Sequence, residues 1–381
     1  MASGQGDLTS QRHMANAIDS ALPVAGQAPR AGANARPQHD MLNNLVDDAT
    51  RHGPSELTRI AYLDGWRGMA ISLVLVSHFL QLKVVDVGRL GVDIFFVLSG
   101  MLMANILFIR RVELATFYKR RFSRIFPAFF VFVTSISLAS WLFALSAEHE
   151  NYLYNLLFLR AYWPEDQGMW YTGLPLNHLW SLHVEEHAYL VLSFITLLPL
   201  IRRYPWIAIL ALGLSSIALQ YVFVLYPDLA ARDQHLRSEI AGSFIMLSAA
   251  YCLVKHHVAR FVPGWLPLLT LILAVVCYSE LSPHWSARWA LAPFLLAFTV
   301  NHLDLLPALW RRLLSLRPLR LLGIWSFSIY LWQEPLAYYG VARDDFFSAW
   351  GVILLLCSIG LGAASFYWIE NPARRYINER W

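Results

Sequence analysis

From about residue 66 onward the chain repeats one pattern: an apolar run long enough to cross a bilayer, then a short polar connection. A spanning helix takes roughly 20 residues, fewer where flanking polar groups reach for the interface. Ten such runs can be placed, at about 66–83, 90–109, 125–146, 178–200, 206–226, 238–254, 265–281, 287–303, 322–341 and 349–370. The expected fold class is all-α, a polytopic integral membrane protein of about ten transmembrane helices. Residues 1–56 break the pattern, being dominated by Ala, Gly, Pro, Gln and Asn without apolar periodicity. They are expected to form a disordered N-terminal tail, and they lack the ~7–15-residue apolar core of a cleaved leader. The domain reading is tail 1–56, transmembrane domain 57–376 and a short cytoplasmic end 377–381, with no second domain expected after 376.

Composition agrees, because 57% hydrophobic and 15% charged residues in 381 exceed what a soluble domain can hide. The 15 Trp, 17 Tyr and 22 Phe suit a chain that meets two membrane interfaces many times. Cys252, Cys277 and Cys357 form no spacing motif and read as small core hydrophobes. The net charge of +4 is unevenly distributed. Seventeen Lys and Arg fall on the connections after the even-numbered runs and at the C-terminal end, against seven on the opposite set. The positive-inside rule then puts both termini and the 110–124 loop in the cytoplasm. Basic residues so placed point to the lipid bilayer as a partner, and no nucleic acid is expected.

Chemistry enters where the apolar runs carry ionisable residues. In "HLWSLHVEEHAYLVLSF", residues 178–194, His183, Glu186 and His187 satisfy H-x-x-E-H, whose two imidazoles at i and i+4 could hold zinc beside a carboxylate base. The alternative is an intramembrane acid/base site without metal. In "YLDGWRGMAISLVLVSHF", residues 62–79, Arg67 and His78 are eleven positions apart. Three helical turns return them to within roughly 20° of one another, about 16 Å apart along the axis. Arg67 falls at the cytoplasmic interface and His78 near the midplane, where an ionisable group is expensive and marks a functional candidate, unless it is simply bonded to a neighbouring helix. Counting from the ends of their runs puts Glu185 and Glu186 roughly 10–12 Å below the outer surface and Glu334 roughly 15–18 Å from the inner one. All three approach the level of His78, as one buried reaction centre would require, although either glutamate of the pair could equally anchor two helices.

The segment "RRVELATFYKRRFSRIFP", starting at Arg110, has two readings. It can serve as a stop-transfer and anionic-lipid contact, or Arg121 and Arg124, at i and i+3, can grip a phosphorylated cytoplasmic ligand. The outer stretch 147–177, rich in Tyr, Trp and acids, fits a sugar-facing lid or an interfacial aromatic belt.

Taken together these blocks resemble the membrane-bound acyltransferase-3 family, multi-spanning O-acyltransferases of sugars and surface polysaccharides. "YLDGWRGMAISLVLVSHF" is similar to its opening motif, and "GRLGVDIFFVLSGMLM" to its second-helix signature with Asp93, Ser99 and Gly100. "KRRFSRIFP" carries its R-x-x-R at Arg121 and Arg124, "NHLWSLHVEEHAYL" its fourth-helix block and "SFYWIENPARR" its closing motif. The family commonly has Gln where His187 stands, so the H-x-x-E-H match arises inside an acyltransferase block and no metal is expected. In the ninth helix Gln333 replaces a commoner His, leaving Glu334 as the titratable group.

The resemblance implies acyl transfer from a cytoplasmic acyl-CoA, most simply acetyl-CoA, to a hydroxyl of a carbohydrate acceptor such as a surface polysaccharide, at a bacterial cytoplasmic membrane. Arg67, Arg121 and Arg124 would hold CoA phosphates, with Lys119 and Arg120 adding field. His78 would be general base or transient acyl carrier, and Glu185, Glu186 and Glu334 would complete the catalytic cluster. A proton-coupled transporter or flippase of a glycan or lipid-linked precursor is the rival class, since buried Glu and His also serve proton coupling.

Overall fold

The computed structural model describes residues 54–82, 84–144, 151–163, 173–199, 201, 203–282, 284–341 and 347–380. The tail up to residue 53, much of the proposed outer lid, and the counted cations Lys83, Arg202 and Arg343 lie outside these residues. The described chain is helical, and among the described residues no strand forms beyond an isolated antiparallel bridge between Val85 and Ser279.

The long elements are α1 (Pro54–Leu80), α2 (Val87–Ala104, continued by a π-helical turn Asn105–Ile109) and α3 (Leu114–Phe143). A short α4 (Asn151–Leu156) leads towards α5 (Trp180–Leu197) and α6 (Pro205–Leu225). Next come α7 (Ser238–Ala241), α8 (Ser243–Val258), α9 (Leu266–Cys277) and α10 (Ala292–Asn301), the last preceded by a π-helical turn Ala287–Leu291. The chain ends with α11 (Ala308–Leu314), α12 (Arg317–Gly340), α13 (Ala349–Ser365), a third π-helical turn Phe366–Glu370, and α14 (Asn371–Arg380).

Helix boundaries follow local chemistry. Asp86 caps α2 by accepting the Arg89 backbone N–H at 3.1 Å, Ser348 caps α13 through the Gly351 N–H at 3.0 Å, and Pro205 opens α6 where its missing N–H costs nothing. The first helix begins at Pro54, inside the stretch assigned to the tail, and the R-x-x-R pair lies within α3, not on a loop. Helix occupies part of each of the ten predicted runs. Five stretches among the described residues are long and apolar enough to cross a membrane by length and composition: 87–109, 114–143, 205–225, 238–261 and 349–380. α1, α5 and α12 miss that standard because Arg67, Glu185, Glu186 and Glu334 dilute them. These diluted helices carry the polar centre, whereas α6 exposes most of its apolar surface.

α1 and α12 pack backbone against backbone. A Cβ on Gly68 would lie 1.9 Å from the Leu319 carbonyl oxygen, and one on Gly323 would lie 1.8 Å from that of Asp64. Two backbones meet here without side chains between them, which only glycine allows. Gly68→Ala or Gly323→Ala is expected to cost about 1–3 kcal/mol or more through overpacking. Gly360→Ala, where nothing lies within 4 Å, should change stability by less than about 0.5 kcal/mol. Thermal unfolding of the three variants in detergent checks the contrast, and equal midpoints would refute the packing argument.

Candidate active site

The α1 and α12 crossing sets the register that brings His78 against Gln333 and Glu334. The His78 Nδ1 lies 2.7 Å from the Gln333 Oε1 and 3.4 Å from the Glu334 Oε2. The Gln333 amide nitrogen donates to the Glu334 Oε2 at 3.3 Å, which turns its oxygen towards the imidazole. The proton of neutral His78 is therefore assigned to Nδ1, leaving the Nε2 lone pair free. Gln333 is fully buried, whereas the His78 side chain keeps 32% exposure, so its other edge can be reached.

Several groups close the far side of this centre. The Tyr330 hydroxyl donates to the His178 carbonyl at 2.6 Å and lies 2.6 Å from the Ser181 Oγ. The His178 ring meets Phe132 and Tyr330 edge-on. Pro335, inside α12, lacks the N–H that would bond the Leu331 carbonyl, and that freed oxygen faces His178.

Glu185 and Glu186 do not join His78. Glu185 accepts the Ser99 hydroxyl at 2.8 Å, and Glu186 takes the Arg121 guanidinium through Nη2 at 2.7 Å and Nε at 3.0 Å. Arg121 also lies 3.7 Å from Glu185 and packs over the Tyr189 ring, 3.3 Å from its centroid. A Tyr118–Ser193 hydrogen bond sets α3 antiparallel to α5 and levels Glu186 with Arg121. The depth count from the outer surface fails here because α5 does not start at a surface. Leu174, Leu176, His178 and Leu179, just before it, are buried and pack on Ile125, Phe129 and Phe132 midway along α3. The paired glutamates consequently sit below His78, towards Arg67.

Arg121, read as a phosphate ligand, has its fork committed to Glu186. Lys119 turns to the Asn378 carbonyl at 3.5 Å, and Arg120 is half-buried in the same turn. Arg67 and Arg124 have no hydrogen-bond or ion-pair partner among the described residues. They feel each other's charge, and they act on the carboxylate of Asp64 together with Arg320 and on that of Glu370 together with Arg374. Arg320 and Arg374 escaped the sequence reading as site residues. Their signal was present, since both lie on basic connections and Arg374 belongs to the closing motif.

The zinc pattern comes apart in three dimensions. His183 is fully buried against the edge of Phe158, the His187 Nδ1 lies 2.7 Å from the Ser238 Oγ, and Glu186 points to Arg121. Among the described residues no three His, Cys, Asp or Glu side chains gather as metal ligands.

The helical bundle thus places a half-buried imidazole and one guanidinium of an arginine cluster on the same helix. Residues 60–369 match the family described as an acyltransferase domain, and the chain belongs to that acyltransferase family. It is 27% identical over 359 residues to the peptidoglycan O-acetyltransferase OatA of Listeria monocytogenes, covering 83% of this chain and 56% of that protein. It is 24% identical over 347 residues to the O-acetyltransferase OatA of Staphylococcus aureus, covering 82% of this chain and 57% of that protein. The chain thus spans little more than half the length of these relatives. No solved structure gives a significant match.

The Arg121–Glu186 pair generates a stability test. Removing one partner of a buried pair leaves an uncompensated charge and costs about 3–5 kcal/mol. Arg121→Ala is therefore expected to unfold at markedly lower denaturant, and adding Glu186→Ala to it should recover part of the loss. A double-mutant cycle on the unfolding midpoints measures that coupling, and additive losses would mean the pair is not formed.

Proposed function

We propose that this chain is an O-acyltransferase that moves an acetyl group from cytoplasmic acetyl-CoA to a hydroxyl of a cell-surface carbohydrate, of which peptidoglycan is the instance named for its relatives. The reading includes ten crossings of a bacterial cytoplasmic membrane with both termini inside. The observation that carries it is His78, held through Nδ1 by Gln333 and Glu334 with Nε2 free, on the same face of α1 as Arg67, which clusters with Arg124.

Arg67 and Arg124, whose donors are unclaimed, bind CoA phosphates, and Arg320 and Arg374 deepen the positive field there. Guanidinium forks suit phosphate oxygens, and charges crowded without partners favour an anion between them. The pantetheine arm then follows α1 past Glu185 for about 16 Å to bring the thioester to His78. The acceptor hydroxyl gives its proton to the His78 Nε2 as its oxygen bonds to the thioester carbonyl carbon. The carbon–sulfur bond breaks, and the imidazolium returns the proton to the departing CoA sulfur. Glu334, close to Nδ1, stabilises the imidazolium while it exists, and Gln333 keeps the ring in the reactive tautomer. Arg121, paired with Glu186, holds α3 against α5 and so keeps the route open.

The test uses purified protein in nanodiscs with labelled acetyl-CoA and a glycan acceptor. His78→Ala is expected to lower kcat by about 10²–10⁴, the usual worth of a general base. Arg67→Ala and Arg124→Ala should each weaken acetyl-CoA binding by about 1.5–3 kcal/mol, which is roughly tenfold or more. Chelators should leave turnover unchanged. Full activity in His78→Ala, or movement of a glycan without CoA release, would overturn this reading in favour of a carrier.

A further inference from the structure

A cleft of about 710 Å³ opens at the C-terminal end of α1, between the start of α2, the end of α9 and the π-helical turn before α10. None of the side chains given a part in acyl transfer above lies in it, yet its wall reaches Ser77, the residue next to His78. Its size falls within the roughly 300–1,000 Å³ of small-molecule sites.

The wall is built in advance. Tyr278 is buried with its hydroxyl on the Asp93 carboxylate at 2.7 Å, and Asp93 is held in turn by the Arg89 Nε at 3.0 Å. Arg89 lies over the rings of Trp180 and Trp289, at 4.6 and 4.5 Å. Trp285 stacks on Tyr221 with centroids 5.5 Å apart. Between these rings stand polar groups: Arg288 paired to Asp86 at 3.0 Å, and Glu280 exposed at the rim. Arg288 and Trp289 both come from the π-helical turn, an irregularity that recurs at functional sites.

Aromatic faces interleaved with acceptors and a guanidinium fit one chemistry well. A pyranose ring has an apolar C–H face that packs on an indole and a rim of hydroxyls that donate to carboxylates and accept from arginine. We infer that this cleft is a saccharide-binding subsite, in which Trp285, Trp289, Asp86, Glu280 and Arg288 seat the acceptor glycan so that one hydroxyl reaches His78. The inference rests on the acyl-transfer reading for its role in catalysis, but binding of the saccharide is independent of turnover.

The probe is the tetrasaccharide of β-1,4-linked N-acetylglucosamine, titrated into nanodisc protein while tryptophan fluorescence is followed, and then supplied as acceptor with labelled acetyl-CoA. Wild-type protein should show saturable quenching. Trp285→Ala and Arg288→Ala should raise the KM for the tetrasaccharide at least tenfold with a smaller change in kcat, Glu280→Gln severalfold, and Trp285→Phe should restore most of the affinity. Glu280→Gln, at an exposed carboxylate, keeps the test open if a larger change fails to fold. Quenching that depends on Trp285 in a protein that never cleaves acetyl-CoA would support the cleft and sink the acyl-transfer reading. Acetyl transfer with a KM untouched by all the cleft variants would overturn the cleft, as would competition by phosphatidylglycerol vesicles and not by the saccharide.

Discussion

The backbone contact between α1 and α12 is the constraint on which the polar centre depends. Gly68 and Gly323 let the two helices touch at the level of their own carbonyls. In a membrane, where lipid is as apolar as leucine, such close approach replaces the hydrophobic effect as the source of helix pairing. Once these positions are fixed, the parallel course of the two helices carries His78 to Gln333 some three turns further on. A bulkier residue at the crossing would separate the helices and draw the imidazole away from the groups that orient it.

Around that axis the bundle divides labour by polarity. The helices that carry ionisable groups are screened by more apolar ones, and each buried charge is answered locally. Glu186 is answered by Arg121, Glu185 by Ser99, Asp93 by Arg89 and Tyr278, and Glu370 by Ser328. An uncompensated charge in such surroundings is costly enough that the exceptions carry meaning. Arg67, midway along α1, and Arg124 make no hydrogen bond or ion pair among the described residues, and His78 and the aromatic cleft lie at the C-terminal end of the same helix. The proposed donor route, base and acceptor site thus follow the C-terminal half of a single helix.

The irregular elements show how the bundle departs from ideal spans. Pro335 frees a carbonyl at the level of the centre, and a sunken start to α5 carries His178 to the same depth. Backbone without helical hydrogen bonds survives at membrane depth only where protein groups satisfy it. The Tyr330 hydroxyl on the His178 carbonyl does so here.

Much of this was legible in the chain alone. Apolar runs of spanning length have one physical outcome, helix, because lipid offers no partner to backbone amides. The eleven-residue spacing of Arg67 and His78 likewise fixed their common face, and the motif order pointed to acyl transfer. What no local rule could supply was which helix meets which. The sequence alone assigned Arg121 to phosphate because the partner that claims it, Glu186, lies sixty-five positions away on another helix. It set Glu185 and Glu186 near the level of His78 because depth was counted from a surface that α5 does not reach. It left Gln333 as a lost base, whereas the fold makes it the group that holds the His78 proton on Nδ1. Arg320, Arg374 and the cleft of Trp285 and Arg288 come from connections far apart in sequence. Tertiary packing decided their gathering, because Coulomb attraction and ring stacking act over a few ångströms of space, whatever the separation along the chain.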